Sequence, residues 1–370
     1  MLRNFVLLAV RNFFKNRTYS IINVFGLSVG LAAFILLTLF VRFESSYDTY
    51  HSDWERIYRV EQMVKTTDAY TSWNQVPAPL SAELEKRYPE IEEAIAIREV
   101  WGEYFSTSKE RTFYEKEGYY ANTDVFNLFS TKFLKGNKET ALDDPMKVVL
   151  SETLAKKLFP NSDPMGQRIL VDNKRTYIVY AIIEDIPLNS NTRASYFISF
   201  DTYLNVTGYN VMEYWDWNDV RVFIKLRENV DAESFKTKIE YLLDDFVEHR
   251  DDELYLKPIW KVHLQQGVED GYWLVVLLYG SIGMFTLLLA SMNFVNLTTA
   301  YSLTRAKEIG VKKVLGSSRL RLIKQFLAES VVISFISLLV AFTIAETVLP
   351  LFNRIVSLQL DLKYIDDWQF

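Results

Sequence analysis

The sequence predicts an α+β protein in which transmembrane α-helices, three of them seen, carry a large mixed α/β extracytoplasmic domain. Three long apolar stretches predict the spans, the basic residues beside them predict the orientation, and the polar segment between the first two carries both strand and helix signals.

The first stretch has no charged residue over 18–41 and is almost wholly apolar from Ile21, long enough to cross about 30 Å of hydrocarbon as a helix. It exceeds the h-region of a signal peptide, and FVRFESSYD after it offers no small-residue cleavage site, so 18–42 is read as a retained anchor. The second, 271–299, lies in a charge-free run with the centre WLVVLLYGSIGMFTLLLASM. The third, 326–349, is interrupted only by Glu329 and Glu346, each expected about one turn from an end where a carboxylate reaches the interface.

Arg3, Arg11, Lys15 and Arg17 precede the first span, and Arg305, Lys307, Lys312, Lys313, Arg319, Arg321 and Lys324 separate the second from the third. The positive-inside rule therefore places 1–17 and 300–325 in the cytoplasm and 43–270 outside, with 350–370 starting a further external segment. Residues 43–270 hold 27 Lys/Arg against 41 Asp/Glu, a net charge of −14 that gives no general reason to bind nucleic acid. The chain has no cysteine, which excludes disulfides and thiolate metal sites.

Within 1–17, Leu2, Phe5, Val6, Ala9 and Phe13 recur at helical spacing opposite Asn4, Arg11 and Lys15. This is the pattern of a basic amphipathic helix on the inner membrane face, or of a continuation of the first span. In the external segment, 57–65, 92–99, 147–150, 168–172, 176–184, 196–200 and 220–226 read as strands rich in β-branched and aromatic residues, with VDNKRTY as a hairpin turn. Residues 79–88, 151–159 and 232–249 read as helices, the latter two with Ser151 and Asp231 as N-caps. Turn-rich points near 143–145 and 187–192 are expected seams between two lobes.

Catalytic chemistry is missing. His51, His249 and His263 are far apart and form no HExxH. The G-x-S-x-G string at 26–30 lies inside the first apolar stretch and not at a strand-to-helix elbow, and no G-x-x-x-x-G-K-[ST] loop cradles a phosphate, so no ATPase activity, cofactor or metal is expected of this chain. Adjacent carboxylates such as Asp251 and Asp252 read as a solvated face.

The loop SLTRAKEIGVKKVLGSSRLRLIKQFLAES resembles that of ABC transporter permeases of the MacB, FtsX and LolC type. Their pattern is matched by Arg305, Glu308, Ile309, Gly310, Lys312, Lys313, Gly316, Gln325 and Glu329. FESSYDTYHSDWERIYRV, VFNLFSTKFLKGN, VVLSETLAKKLFPNSDPMGQRI and AIIEDIPLNS resemble the MacB-type periplasmic core domain in its Bacteroidota style. The family module has four membrane helices, so the chain is expected to be C-terminally truncated.

The resemblance implies a mechanotransmission permease of the bacterial inner membrane. A separate cytoplasmic ABC-type ATPase dimer would dock on the loop through Arg305, Glu308, Ile309, Gly310, Lys312, Lys313, Gly316 and Arg319. Its closure would move the periplasmic domain and so export or extract a peptide, lipoprotein or toxic compound. A second permease module, fused or as a dimer, is the other expected partner besides the lipid bilayer, and a membrane-fusion protein would point to efflux. The alternative is a membrane-anchored sensor or regulator of a periplasmic partner such as a cell-wall hydrolase. A catalytic anchored hydrolase finds no constellation to support it.

Gly26 and Gly30 form a G-x-x-x-G that either packs a neighbouring helix or is incidental. Gln325 and Glu329 are expected to anchor the third helix, with Glu329 either pairing a basic loop residue or snorkelling to water. Gly310 and Gly316 are expected to end one helix and open the next, giving a bend, or to belong to a flexible loop.

Overall fold

The computed structural model describes residues 11, 13, 14, 17–65, 70–108, 111–208, 210–247, 252–265, 271–315 and 317–362. Most of the segment read as an amphipathic helix, together with His249, Asp251 and Gly316, lies outside the described residues. The chain divides into two compact units, Ser46–Trp273 and the remainder, Met1–Ser45 with Leu274–Phe370.

The second of these holds three helices long and apolar enough to cross a membrane: Arg17–Ser45, Gly271–Thr304 and Arg319–Val356, of 29, 34 and 38 residues. At about 1.5 Å per residue each exceeds the hydrocarbon thickness. The third is longer than its apolar stretch, because the polar flank from Arg319 continues the helix without a breaker. Glu329 therefore lies about three turns inside the helix and Glu346 ten residues before its end, because the helix runs past the apolar stretch on both sides.

Residues 300–325 are likewise mostly helical. The second helix runs to Thr304, a short helix spans Ala306–Val314, and the third opens at Arg319 after Ser318 in extended conformation. Gly310 lies within the short helix and does not end it. One glycine costs a helix only about 1 kcal/mol, and the flanking residues carry the turn through it.

The first helix packs on the third through Ala32 and Leu36 against Ala341 and Ala345, small residues that bring two backbones close. Ser28 Oγ donates to Ser337 O at 2.9 Å within that seam. Gly30 faces the second helix so closely that an added Cβ would overlap Cβ of Ala290, and one at Gly26 would stand 3.1 Å from Asn293 Nδ2.

The unit Ser46–Trp273 is built on fourteen linked strands: β1 (Ile57–Lys65), β2 (Tyr70–Trp73), β3 (Val76–Pro77), β4 (Ile91–Val100), β5 (Glu103–Ser108), β6 (Arg111–Glu115), β7 (Gly118–Ala121), β8 (Phe133–Lys135), β9 (Lys147–Ser151), β10 (Arg168–Val171), β11 (Arg175–Ile183), β12 (Tyr196–Ser199), β13 (Asn218–Leu226) and β14 (Asp252–Pro258). The order is β14-β1-β13-β4-β7-β12-β9-β11-β10-β5-β6, with β2 on β1, β3 on β13 and β8 on β11. Two pairs are parallel, β9 with β11 and β7 with β12. The first needs a crossover, which the helix Glu152–Leu158 and β10 supply.

Successive residues of one strand enter different cores. Val148 and Leu150 join one cluster and Val149 the other; Tyr196 and Ile198 join the first and Phe197 the second; β13 divides Val222 and Ile224 from Phe223 in the same way. A period of two places the clusters on opposite faces, so the sheet is covered on both and its strands read as near-continuous apolar runs. One linked sheet runs through the unit Ser46–Trp273, and 143–145 and 187–192 are connections between its strands.

The hairpin turn after β10 has positive φ at both Asp172 and Asn173, with Lys174 N bonded to Val171 O at 3.0 Å, as a primed turn requires. Ser151 and Asp231 cap their helices by accepting from Leu154 N and Ser234 N. The helix expected over 232–249 stops at Ile239 and yields to a 3-10 turn, Leu242–Asp245.

Candidate functional site

Two constellations of buried polar side chains stand out, one in each unit. The first surrounds Arg305. The turn between the second helix and the short helix aims Arg305 inward, where it is buried and donates through Nη1 to Glu329 Oε2 at 2.7 Å. Gln325, one turn earlier on the third helix, donates to the other oxygen of Glu329 at 3.0 Å. Lys312 Nζ stands 3.4 Å from Gln325 Oε1, tying the short helix to the same chain of bonds. A charge pair enclosed among apolar helices is costly unless its remaining valences are met, and here both oxygens of Glu329 are engaged.

Aromatic rings complete the setting. The Arg305 guanidinium lies 5.6 Å from the Tyr301 ring and 5.4 Å from that of Phe326, and Tyr301 stacks on Tyr19 at 4.0 Å. Tyr19 also donates to Thr298 at 3.0 Å. The first helix is thus held to the second beside the point where the connector begins.

Facing outward, the short helix and its surroundings expose Val311, Val314, Leu315 and Leu320, together with Lys313 and Arg319. Val314 is 89% and Leu315 80% exposed, unusual for apolar residues without a covering partner. Of Glu308 and Ile309 only the helical backbone is described, and Gly310 has open space around it. Of the residues singled out from sequence, Arg305, Lys312, Gln325 and Glu329 thus come together, whereas Lys313 and Arg319 point away from them.

The second constellation lies where the chain leaves the first helix and enters the sheet unit. Asp48, fully buried at positive φ, accepts from Ser190 Oγ at 3.0 Å, Asn191 N at 3.0 Å and Asn191 Nδ2 at 2.5 Å. Its own N–H donates to Asn189 O at 2.9 Å, and the Asn189 amide returns a bond to Ser46 O at 2.9 Å. Tyr50 donates to Ser190 at 3.0 Å, and burial pushes its hydroxyl well above the ordinary tyrosine range, keeping it a neutral donor. His51 Nδ1 lies 2.9 Å from Phe129 O.

The exit is tied to the entry: Tyr47 stacks on His263 at 3.5 Å, His263 meets Tyr272 edge-on at 5.0 Å, and Trp273 N donates to Leu264 O at 3.1 Å. Two of the sequence stretches noted above, SYDTYH and PLNSNT, are therefore partners in one buried clamp. Their separation by about 140 positions hid this. A buried Asp with an Asn-Ser-Asn segment far along the chain is a weak sequence signal, since such residues more often cap turns. His51 and His263 serve this packing, and no cluster that could hold a metal ion occurs among the described residues.

The description "MacB-like periplasmic core domain" matches residues 20–242, and "FtsX-like permease C-terminal" matches 280–370. The macrolide export ATP-binding/permease protein MacB of Neisseria meningitidis is 26% identical over 217 residues, which are 58% of this chain and 32% of that protein. The uncharacterized ABC transporter permease YknZ of Bacillus subtilis is 22% identical over 280 residues, 76% of this chain and 64% of YknZ. The chain thus spans about a third of the length of the MacB relatives it matches. The solved periplasmic region of MacB from Actinobacillus actinomycetemcomitans is 15% identical with a TM-score of 0.40, covering 54% of this chain and 88% of that one.

Proposed function

Since this chain belongs to the MacB-like periplasmic core domain family and carries an FtsX-like permease segment behind it, we propose that it is the permease subunit of an ABC transporter working by mechanotransmission. Its short helix docks on a separate ATPase dimer in the cytoplasm, the sheet unit stands in the periplasm, and the helices lie in the bacterial inner membrane. ATP-driven closure of the dimer moves the connector. The Arg305–Glu329 pair passes that movement to the third helix, and the first helix carries it into the clamp around Asp48. A second module of the same kind completes the membrane unit, and the cargo is a peptide, lipoprotein or toxic compound handled on the periplasmic side.

The observation that carries this reading is the short helix Ala306–Val314, fastened behind by buried Arg305 while its outer face exposes apolar and basic side chains. An apolar patch rimmed by charge is the usual anatomy of a docking surface. The basic residues on both sides of it also support the cytoplasmic side for this connector.

Glu308→Lys and Gly310→Pro test it in the full-length protein with its cognate ATPase. Pro at 310 removes a backbone donor and clashes with the preceding turn, costing about 3 kcal/mol of helix stability. Complex formation and stimulated ATP hydrolysis should fall in Glu308→Lys and fall more, about tenfold or beyond, in Gly310→Pro, with membrane insertion unchanged. Full retention of both in the two variants would remove this helix as the coupling element.

A further inference from the structure

Beyond coupling, the sheet unit contains an open cleft of about 570 Å³, walled by β1, β2 and β13 and the loop before β12. That volume falls within the range of small-molecule sites. Its floor is ionic and buried. Glu61 accepts from Arg59 on one oxygen and from Lys257 Nζ at 2.8 Å on the other, and Glu61 and Lys257 are each 2% exposed or less. On the wall Arg221 pairs with Glu99 at 2.6 Å, so each positive group around the cleft already faces a carboxylate of the protein. At the rim Trp73, Asn74 and Gln75 are exposed consecutively, their side chains make no hydrogen bond among the described residues, and Asn218 lies between floor and rim.

We propose that this cleft binds a neutral saccharide. Planar guanidinium, carboxamide and carboxylate groups present paired donors and acceptors at the spacing of adjacent hydroxyls, each of which both donates and accepts. The exposed indole of Trp73 gives a flat apolar face for the C–H face of a sugar ring. An anion would have to compete with carboxylates already paired to the arginines and Lys257. A hydrophobic peptide anchor or drug-like molecule would find only Trp73 and Val262 as apolar lining. Buried charges that stabilise a fold no better than packed apolar residues would here hold the floor rigid beneath a polar ligand.

The test uses the full chain in phosphocholine-headgroup micelles, because maltoside and glucoside detergents would themselves compete. Maltotriose and tri-N-acetylchitotriose serve as probes in calorimetric titration and saturation-transfer NMR, with tri-alanine and inorganic phosphate as controls. At least one saccharide should bind saturably, and Trp73→Ala should weaken it about tenfold. Gln75→Ala should weaken it less, and the thermal midpoint should be unchanged in both because the residues are exposed. Absence of saturable binding of either saccharide at millimolar concentration, binding indifferent to Trp73→Ala, or equal binding of tri-alanine or phosphate would overturn the proposal. The ATPase-coupling variants leave this site untouched, so the two readings fail separately.

Discussion

At the scale of single residues, environment decides what a charged side chain does. Glu93 on β4 is half-buried, and desolvation, aided by Asp124, raises its carboxyl to about 7 against the pull of Lys225. Between the ordinary carboxylate value and about 7 the folded state binds more protons than the unfolded one. Stability therefore falls as pH rises through that window, the opposite of the usual salt-bridged acid. Glu93→Gln should raise the thermal midpoint at pH 8, by an amount corresponding to roughly 1–2 kcal/mol after allowance for solvent screening, and the gain should shrink towards pH 5. A gain that grew towards acid would contradict the assignment. Gly136 shows the same principle for the backbone: at φ +92, with Tyr180 O 2.6 Å from where a Cβ would stand, both conformation and space demand glycine.

At the scale of elements, the membrane helices meet through their smallest side chains. The G-x-x-x-G of the first helix faces the second, Gly30 against Ala290, where lipid tails provide no hydrophobic drive and close backbone approach supplies the attraction. Gly30→Leu should force the pair apart, lower the detergent-solubilised midpoint by several degrees and, on the proposed function, reduce ATPase stimulation. Gly280→Ala, where the nearest atom to an added Cβ is Val41 Cγ2 at 3.6 Å, should change neither, and equal behaviour of the two variants would argue against a specific seam. Asn23, almost fully buried on the first helix with neither amide atom hydrogen-bonded among the described residues, adds a polar group to that bundle which periodicity did not single out.

At the scale of the whole molecule, the unit Ser46–Trp273 has its own two-faced core and a sheet that closes on residues of the unit alone. Expressed alone it should show one cooperative thermal transition, since two separate lobes would give two. The proposed topology is read by single cysteines in this cysteine-free chain. Ser162 and Ser318 are both exposed, and Ser106, buried and bonded to Thr112 at 2.8 Å, is unsuitable. An impermeant maleimide applied to cells with a permeabilised outer membrane should label Ser162→Cys and spare Ser318→Cys, and the reverse pattern would invert the orientation.

The sequence by itself determined whatever depends on neighbours along the chain. Apolar length set the three spans, period and β-branching set β1, β4, β9, β11 and β13 nearly to the residue, and Ser151 and Asp231 announced their helix starts. Short strands such as β3, β7 and β8 escaped, because two to four residues carry too little periodicity to distinguish them from loops. Only the tertiary structure decided that Asp48 would meet Asn191, that Arg305 would reach Glu329, and that Arg59, Glu61 and Lys257 would form one buried floor. Asp48 with Asn191, Arg305 with Glu329 and Glu61 with Lys257 each join segments far apart along the chain. Local propensity is blind to which distant segment the register and crossings of a sheet, or the packing of three helices, will bring within bonding distance.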